Sequence, residues 1–217
     1  MREKYKDMYK IIFATGNQGK MREIRAILQD TEAQILSMKE AGVFLDIEED
    51  GTTFTDNAII KAKAVAQALA GQEAFGADCV VLADDSGLEI DCLGGEPGVY
   101  SARYLGEETP FSIKSQDFLR RLEGVADEKR TARFVCAIAA VWPDGETVTT
   151  LGTIEGRIGH ELKGDNGFGY DPIFYLPEYG RTAAELTDEE KNAISHRSRA
   201  LEQMKPELMK RMSRKQI

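Results

Sequence analysis

Apolar and polar positions along the chain fall into alternating strand-like and helix-like stretches. Residues 11–14 form a short apolar run bounded by polar residues, the mark of a buried strand. It ends at Thr15-Gly16-Asn17, after which Met21, Ile24, Ile27 and Leu28 recur at helical spacing. A second helix is predicted from about residue 54 to 69. There Phe54, Ala58, Ala62, Val65 and Leu69 share a face, and Gly71 suits its C-terminal stop. Strands are predicted at 79–83 and 88–93, with a glycine turn between them. Residues 112–122 read as an amphipathic helix ended near Gly124. Residues 132–142 read as a central strand. Pro143-Asp144-Gly145 supplies turn chemistry, and 147–158 is the hairpin partner. Residues 163–169 form a glycine-rich loop. Ser195 is the expected N-cap of a last helix carrying Ala200, Leu201, Met204 and Leu208, which Pro206 should kink or divide. Strands alternating with helices give an α/β class.

A chain of 217 residues suits one domain, with room for two lobes. The domain is expected over 10–217, with 1–9 a loosely ordered extension. No apolar run reaches the length of a membrane span, and the first ten residues are charged and lack the apolar core of a signal peptide. A cytoplasmic protein without membrane association is expected. Cys79, Cys92 and Cys136 are few, show no CxxC spacing and lie among apolar residues, so all three are expected to be buried thiols. The net charge of −9 disfavours nucleic acid as a partner. A small phosphorylated ligand needs only a local group of cations. The Lys- and Arg-rich end suits a helix C-terminus.

Five stretches carry candidate chemistry. Thr15-Gly16-Asn17-Gln18-Gly19-Lys20 joins a strand to a helix, where small residues, amide groups and a cation favour phosphate. A plain turn with a surface lysine fits equally, and the Walker A spacing is absent. Glu48-Glu49-Asp50 is either a solvated acidic face or a source of oxygen ligands for Mg²⁺. Asp84-Asp85-Ser86-Gly87 puts two carboxylates at the expected end of a buried strand, where the turn can bring both to a common metal; the competing reading is a turn cap. Phe168-Gly169-Tyr170-Asp171 offers rings on which a base can stack, or a strand entering the core. Lys191, His196 and Arg197 put cations at a helix N-terminus, which the helix dipole disfavours unless a ligand binds there.

Together these stretches resemble the inosine triphosphate pyrophosphatase family. The match runs through residues 13–20, then 48–54 with Asn57, Ala58 and Lys61, then 83–88 and 95–104, and finally 167–172 with 184–186, Glu190, Lys191 and 194–197. The resemblance implies a two-lobed fold with a long mixed central sheet flanked by helices, an active cleft between the lobes, and a homodimer. It implies that ITP, dITP and XTP are cleaved to the monophosphate and pyrophosphate. Carried over, Asp85 is general base and metal ligand, with Asp84 beside it in the catalytic pair. Glu48, ahead of Glu49, is the second ligand to Mg²⁺, with Mn²⁺ able to substitute. Asn17, Lys20 and Lys61 hold the triphosphate, with Thr15, Gly16, Gln18 and Gly19 around it, and Ser86 contacts the nucleotide. Phe168, Gly169, Tyr170, Asp171, Lys191, His196 and Arg197 line the base and sugar pocket. Asp50 departs from the family pattern.

The chemistry agrees with the residues. Cations neutralise the phosphates, an aspartate orients a water for attack at the α-phosphorus, and donors near His196 and Arg197 select the 6-oxygen of inosine and xanthine over the amine of adenine. The alternatives are a related pyrophosphatase for other modified or canonical nucleotides, a catalytically silent nucleotide sensor, and a phosphotransferase.

Overall fold

The computed structural model describes residues 8–72, 75–76 and 78–213. Its strands are β1 (Tyr9–Phe13), β2 (Ala33–Ser37), β3 (Cys79–Ile90), β4 (Thr131–Val141), β5 (Thr147–Ile158), β6 (Phe174–Leu176) and β7 (Arg181–Thr182). They form one seven-stranded sheet in the order β2-β1-β3-β4-β5-β6-β7. It is mixed: β1 runs parallel to β2 and β3, whereas β6 runs antiparallel to β5 and β7. The helices are α1 (Gln18–Ile27), α2 (Phe54–Leu69), α3 (Phe111–Arg121), α4 (Asp188–Ile194) and α5 (His196–Ser213). The α/β class and the mixed sheet expected from the sequence are present, and β4 is its middle strand.

Four expectations change. The strands predicted at 79–83 and 88–93 are one strand, β3, which runs straight through Asp84 and Asp85 and gives way to a 3₁₀ turn at Asp91–Leu93. Pro206 does not divide α5. Cys79 and Cys136 are buried, but Cys92 is exposed on that 3₁₀ turn. Tyr9, assigned to the extension, opens β1 and is buried; the rest of the extension up to Asp7, and residues 214–217 at the basic end, lie outside the described residues.

The chain divides into two compact units. The first comprises Met1–Asp85, Ala137–Leu151 and Ser198–Ile217. Here the apolar stripes of the two N-terminal helices are buried, Met21, Ile24 and Ile27 on α1 and Phe54, Ala58, Ala62, Val65 and Leu69 on α2. Thr53 caps α2 by accepting from the Asp56 amide. Trp142 donates its indole N–H to the Tyr9 hydroxyl at 3.0 Å.

The second unit comprises Ser86–Cys136 and Gly152–Arg197. Its core gathers Leu88, Ile90, Phe118, Phe134, Ile158 and Phe174. Arg130 is buried and donates to three backbone carbonyls, those of Leu122 (2.7 Å), Ile158 (2.8 Å) and Gly159. It ties the end of α3 to the end of β5.

Candidate active site

Chemistry-bearing side chains gather in two places, one in each unit. In the first unit the anchor is the middle of β3. Neighbouring residues of a strand point to opposite faces, and Asp84 and Asp85 take separate lysines. Lys20 of α1 pairs with Asp84 at 2.9 Å, and Lys61 of α2 pairs with Asp85 at 3.2 Å. The two carboxylates therefore do not meet at a turn, contrary to the sequence expectation. Lys61 also holds Glu49 at 3.0 Å, so Glu49 and Asp85 converge on one ammonium group. Glu48, the carboxylate expected there, is exposed, as is Asp50.

Burial governs the charges. It pushes the Asp85 carboxyl above the usual aspartate range; Lys61 opposes that rise and Glu49 adds to it. Burial alone would push the Lys61 ammonium down, but Asp85, Asp84 and Glu49 together outweigh it and raise it above the ordinary lysine value. Lys61 thus stays charged across the physiological range.

The segment before α1 is an open backbone platform. Thr15 accepts from the Asn17 amide at 3.2 Å, and Asn17 caps α1 by accepting from the Lys20 amide at 3.1 Å. Gly16, Asn17 and Gln18 are exposed, and Gly19 and Lys20 are half-buried. A Cβ built on Gly16 would meet nothing within 4 Å, so a ligand can approach the backbone there.

Asn57, one helical turn before Lys61, is fully buried. Its amide accepts from the Gly51 N–H at 2.8 Å and donates to Asp85 Oδ2 at 3.1 Å. The sequence alone assigns Asn57 no role. The available signal is its place four residues before Lys61 beside the apolar stripe of α2, where a polar pair needs a partner.

The residues fit a hard divalent cation. The donors are oxygens with no Cys or His among them, and three carboxylates (Asp84, Asp85, Glu49) face two lysines. Among the described residues no group of three or more His, Cys, Asp or Glu side chains is placed to hold a metal ion. Mg²⁺ does not need one, because it keeps waters and phosphate oxygens beside one or two carboxylates.

In the second unit Phe168, Asp171, Lys191 and Arg197 come together. Lys191 pairs with Asp171 at 2.7 Å, both buried, and Asp171 also accepts from the Phe168 amide at 2.8 Å. The Lys191 ammonium lies 4.9 Å and the Arg197 guanidinium 5.7 Å from the Phe168 ring centre. Arg197 donates to the Ser86 hydroxyl at 3.4 Å. His196 stacks on Phe134 with ring centres 5.0 Å apart. Gly167, at φ +79°, closes this arrangement: a Cβ there would lie 2.2 Å from Asp171 Oδ2 and 2.9 Å from Lys191 Nζ. Gly169 is likewise at positive φ. Tyr170 departs from the expected lining, since its buried ring packs against Phe111 and the core residue Phe118 and its hydroxyl donates to the Ser101 carbonyl.

Comparison with known proteins places these residues in a wider setting. A model of the Ham1 family matches residues 11–207. A dITP/XTP pyrophosphatase of Clostridium perfringens is 48% identical over 201 residues, 93% of this chain and 98% of that protein. A dITP/XTP pyrophosphatase of Bacillus subtilis is 48% identical over 197 residues, 91% of this chain and 96% of that protein. A solved HAM1 protein from Coxiella burnetii superposes with a TM-score of 0.80 at 43% identity, covering 94% of this chain and all of that one. The Staphylococcus aureus Ham1 protein gives 0.79 at 41% identity over 92% and 98%.

Proposed function

The chain belongs to the Ham1 family, and we propose that it is a nucleoside triphosphate pyrophosphatase that cleaves dITP, ITP and XTP to the monophosphate and pyrophosphate. The observation that carries the reading is the Lys61 ammonium held between Asp85 and Glu49, with Lys20 on Asp84 beside it. Lysines and carboxylates assembled before substrate arrives suit phosphoryl chemistry, in which positioning and charge neutralisation carry most of the catalysis. The Clostridium perfringens and Bacillus subtilis relatives are dITP/XTP pyrophosphatases.

Each residue then has a task. Lys20, Lys61 and the exposed amides of residues 16–19 take the phosphate charge. Asp85 orients the attacking water and accepts its proton. Mg²⁺, held by Asp85 with Glu48 or its neighbour Glu49, would neutralise the phosphate oxygens when bound, and Mn²⁺ would replace it. In the second unit the Phe168 ring offers a stacking face, and Lys191, His196 and Arg197 offer donors to the purine 6-oxygen. Adenine presents a donor at that position and leaves such groups unpaired. The same reading includes a cytoplasmic homodimer that binds no nucleic acid. Among the described residues no helix is long and apolar enough to cross a membrane.

Pyrophosphate release from a panel of triphosphates, with Mg²⁺ and with EDTA, tests the proposal. ITP and XTP should exceed ATP in kcat/KM by about 10²-fold or more, and EDTA should stop turnover. Equal rates on ATP and ITP, or orthophosphate as the product, would overturn it.

A further inference from the structure

We propose that Asn57 is a positioning residue for this hydrolysis, holding the Asp85 carboxylate and the acidic loop before α2 in register with one another. The inference rests on the pyrophosphatase reading and concerns a fully buried residue.

An amide side chain has one accepting and one donating end, and both ends of Asn57 are used across distant parts of the chain. Oδ1 accepts from Gly51 at 2.8 Å; Nδ2 donates to Asp85 Oδ2 at 3.1 Å. Lys61, one turn further along α2, holds the other Asp85 oxygen at 3.2 Å and Glu49 at 3.0 Å. Both oxygens of Asp85 are therefore fixed from one helix. The acidic loop is fixed from the same helix, at the Gly51 backbone and at the Glu49 side chain. The carboxylate cannot rotate without breaking a buried hydrogen bond.

The close approach depends on Gly51. A Cβ there would stand 2.6 Å from Asn57 Oδ1 and 2.8 Å from Asp56 Cβ. Helix formation does not explain Asn57, because Thr53 already caps α2. Packing does not explain it either, because the neighbouring buried position, Ala58, is served by a small apolar residue. What the amide adds is the orientation of a carboxylate that must face water and phosphate. Partners of this kind, one bond removed from the reacting groups, are worth about 10–100-fold in activity or metal affinity.

The experiment compares the full-length wild type with Asn57→Ala and Asn57→Asp. The aspartate keeps the acceptor for Gly51 and nearly the volume, loses the donor to Asp85, and sets a second carboxylate against it. Steady-state kinetics on ITP with Mg²⁺ are read beside thermal melts and a Mn²⁺ titration followed by electron paramagnetic resonance without nucleotide. In both variants kcat should fall about 10–100-fold, with KM for ITP within about threefold of wild type. Mn²⁺ affinity of Asn57→Ala should fall by the same factor as its kcat. Should the alanine variant fail to fold, the aspartate variant carries the kinetic test. A kcat within about threefold of wild type in a folded variant, a loss that disappears well below the melting range, or failure of both variants to fold would overturn the proposal. If the wild type releases no pyrophosphate from ITP, the pyrophosphatase reading falls instead, and the Mn²⁺ titration still reads the Asn57 bond to Asp85.

Discussion

At the scale of single residues the site is built on Asp85, a carboxylate pulled in two directions. Burial opposes its charge, and Lys61 and Asn57 support it. Asp85→Asn keeps the volume and loses both the charge and the basicity, so kcat should fall by at least about 10². Were Asp85 only a structural partner of Asn57, the amide would serve nearly as well and kcat would stay within about threefold of wild type. The raised pKa adds a pH prediction. A base acts when ionised, so activity is complete above the folded pKa of Asp85 and is lost as pH falls through it. Without metal the Asp85 carboxyl should titrate above the ordinary aspartate value of 3.8; a bound dication draws a ligating carboxylate down, so the acid limb of kcat/KM should move to lower pH as Mg²⁺ is raised, and a limb indifferent to Mg²⁺ would contradict the assignment. Cysteines give a test independent of function. Burial pushes the Cys79 thiol up to about 11, and Cys136 is buried as well, whereas Cys92 is exposed. The native protein should react with a thiol reagent at one cysteine and the denatured protein at three. Sequence could not separate Cys92 from the others, because Ile90 and Leu93 flank it in the chain while its 3₁₀ turn, with Asp91, faces solvent.

At the scale of elements, what was legible followed periodicity. The bounds of α2 and β5 agree with the sequence reading because a long amphipathic stripe and a hairpin turn are both local signals. β3 was misread because Asp84-Asp85-Ser86-Gly87 has turn chemistry. The local signal lost to tertiary structure: β1 pairs with β3 only as far as Leu82, but the strand runs on beside β4, and Lys20 and Lys61 pair with its two carboxylates. The lysines come from α1 and α2, and no local window contains them. The short strands β2, β6 and β7 are not legible because runs of five, three and two residues are too short to show a periodic pattern. The loop before β6 shows the same dependence on distant partners. Its glycines read as flexible, yet Gly167 is required by the Asp171–Lys191 pair. Gly167→Ala combines an unfavourable φ, worth about 1–2 kcal/mol, with displacement of the pair. Because the pair lies against Phe168, KM for ITP should rise more than kcat falls. An unchanged KM in a folded Gly167→Ala protein would separate this loop from nucleotide binding.

At the scale of the whole molecule, the chain is closed by contacts between its beginning, middle and end within the first unit. Trp142, the single tryptophan, is buried, donates to Tyr9 on β1, and carries the Arg211 guanidinium of α5 at 4.5 Å from its ring centre. Arg211 also pairs with Asp144 at 2.8 Å and with Glu146 in the turn that follows. Pro206 lacks an amide hydrogen and so removes a bond from the interior of α5; the helix continues past it, and the Arg211 contacts supply anchorage beyond that point. A partly desolvated cation–π contact is worth about 0.5–2 kcal/mol, and exposed ion pairs add about 0–1 kcal/mol. Arg211→Ala should therefore cost about 1–2 kcal/mol. In a chain of this size each kcal/mol lowers Tm by about 2–4 °C. Trp142 emission is the natural probe, because its indole leaves a buried, hydrogen-bonded setting when the unit unfolds. Neither Arg211 nor Trp142 belongs to the clusters assigned to phosphate or base, so kcat and KM for ITP should stay within about threefold of wild type while the folded protein is assayed. A melt unchanged by Arg211→Ala would show that α5 is held by its apolar face alone, through Leu201, Met204 and Leu208. A fall in kcat at temperatures where Trp142 remains buried would instead tie the end of the chain to catalysis.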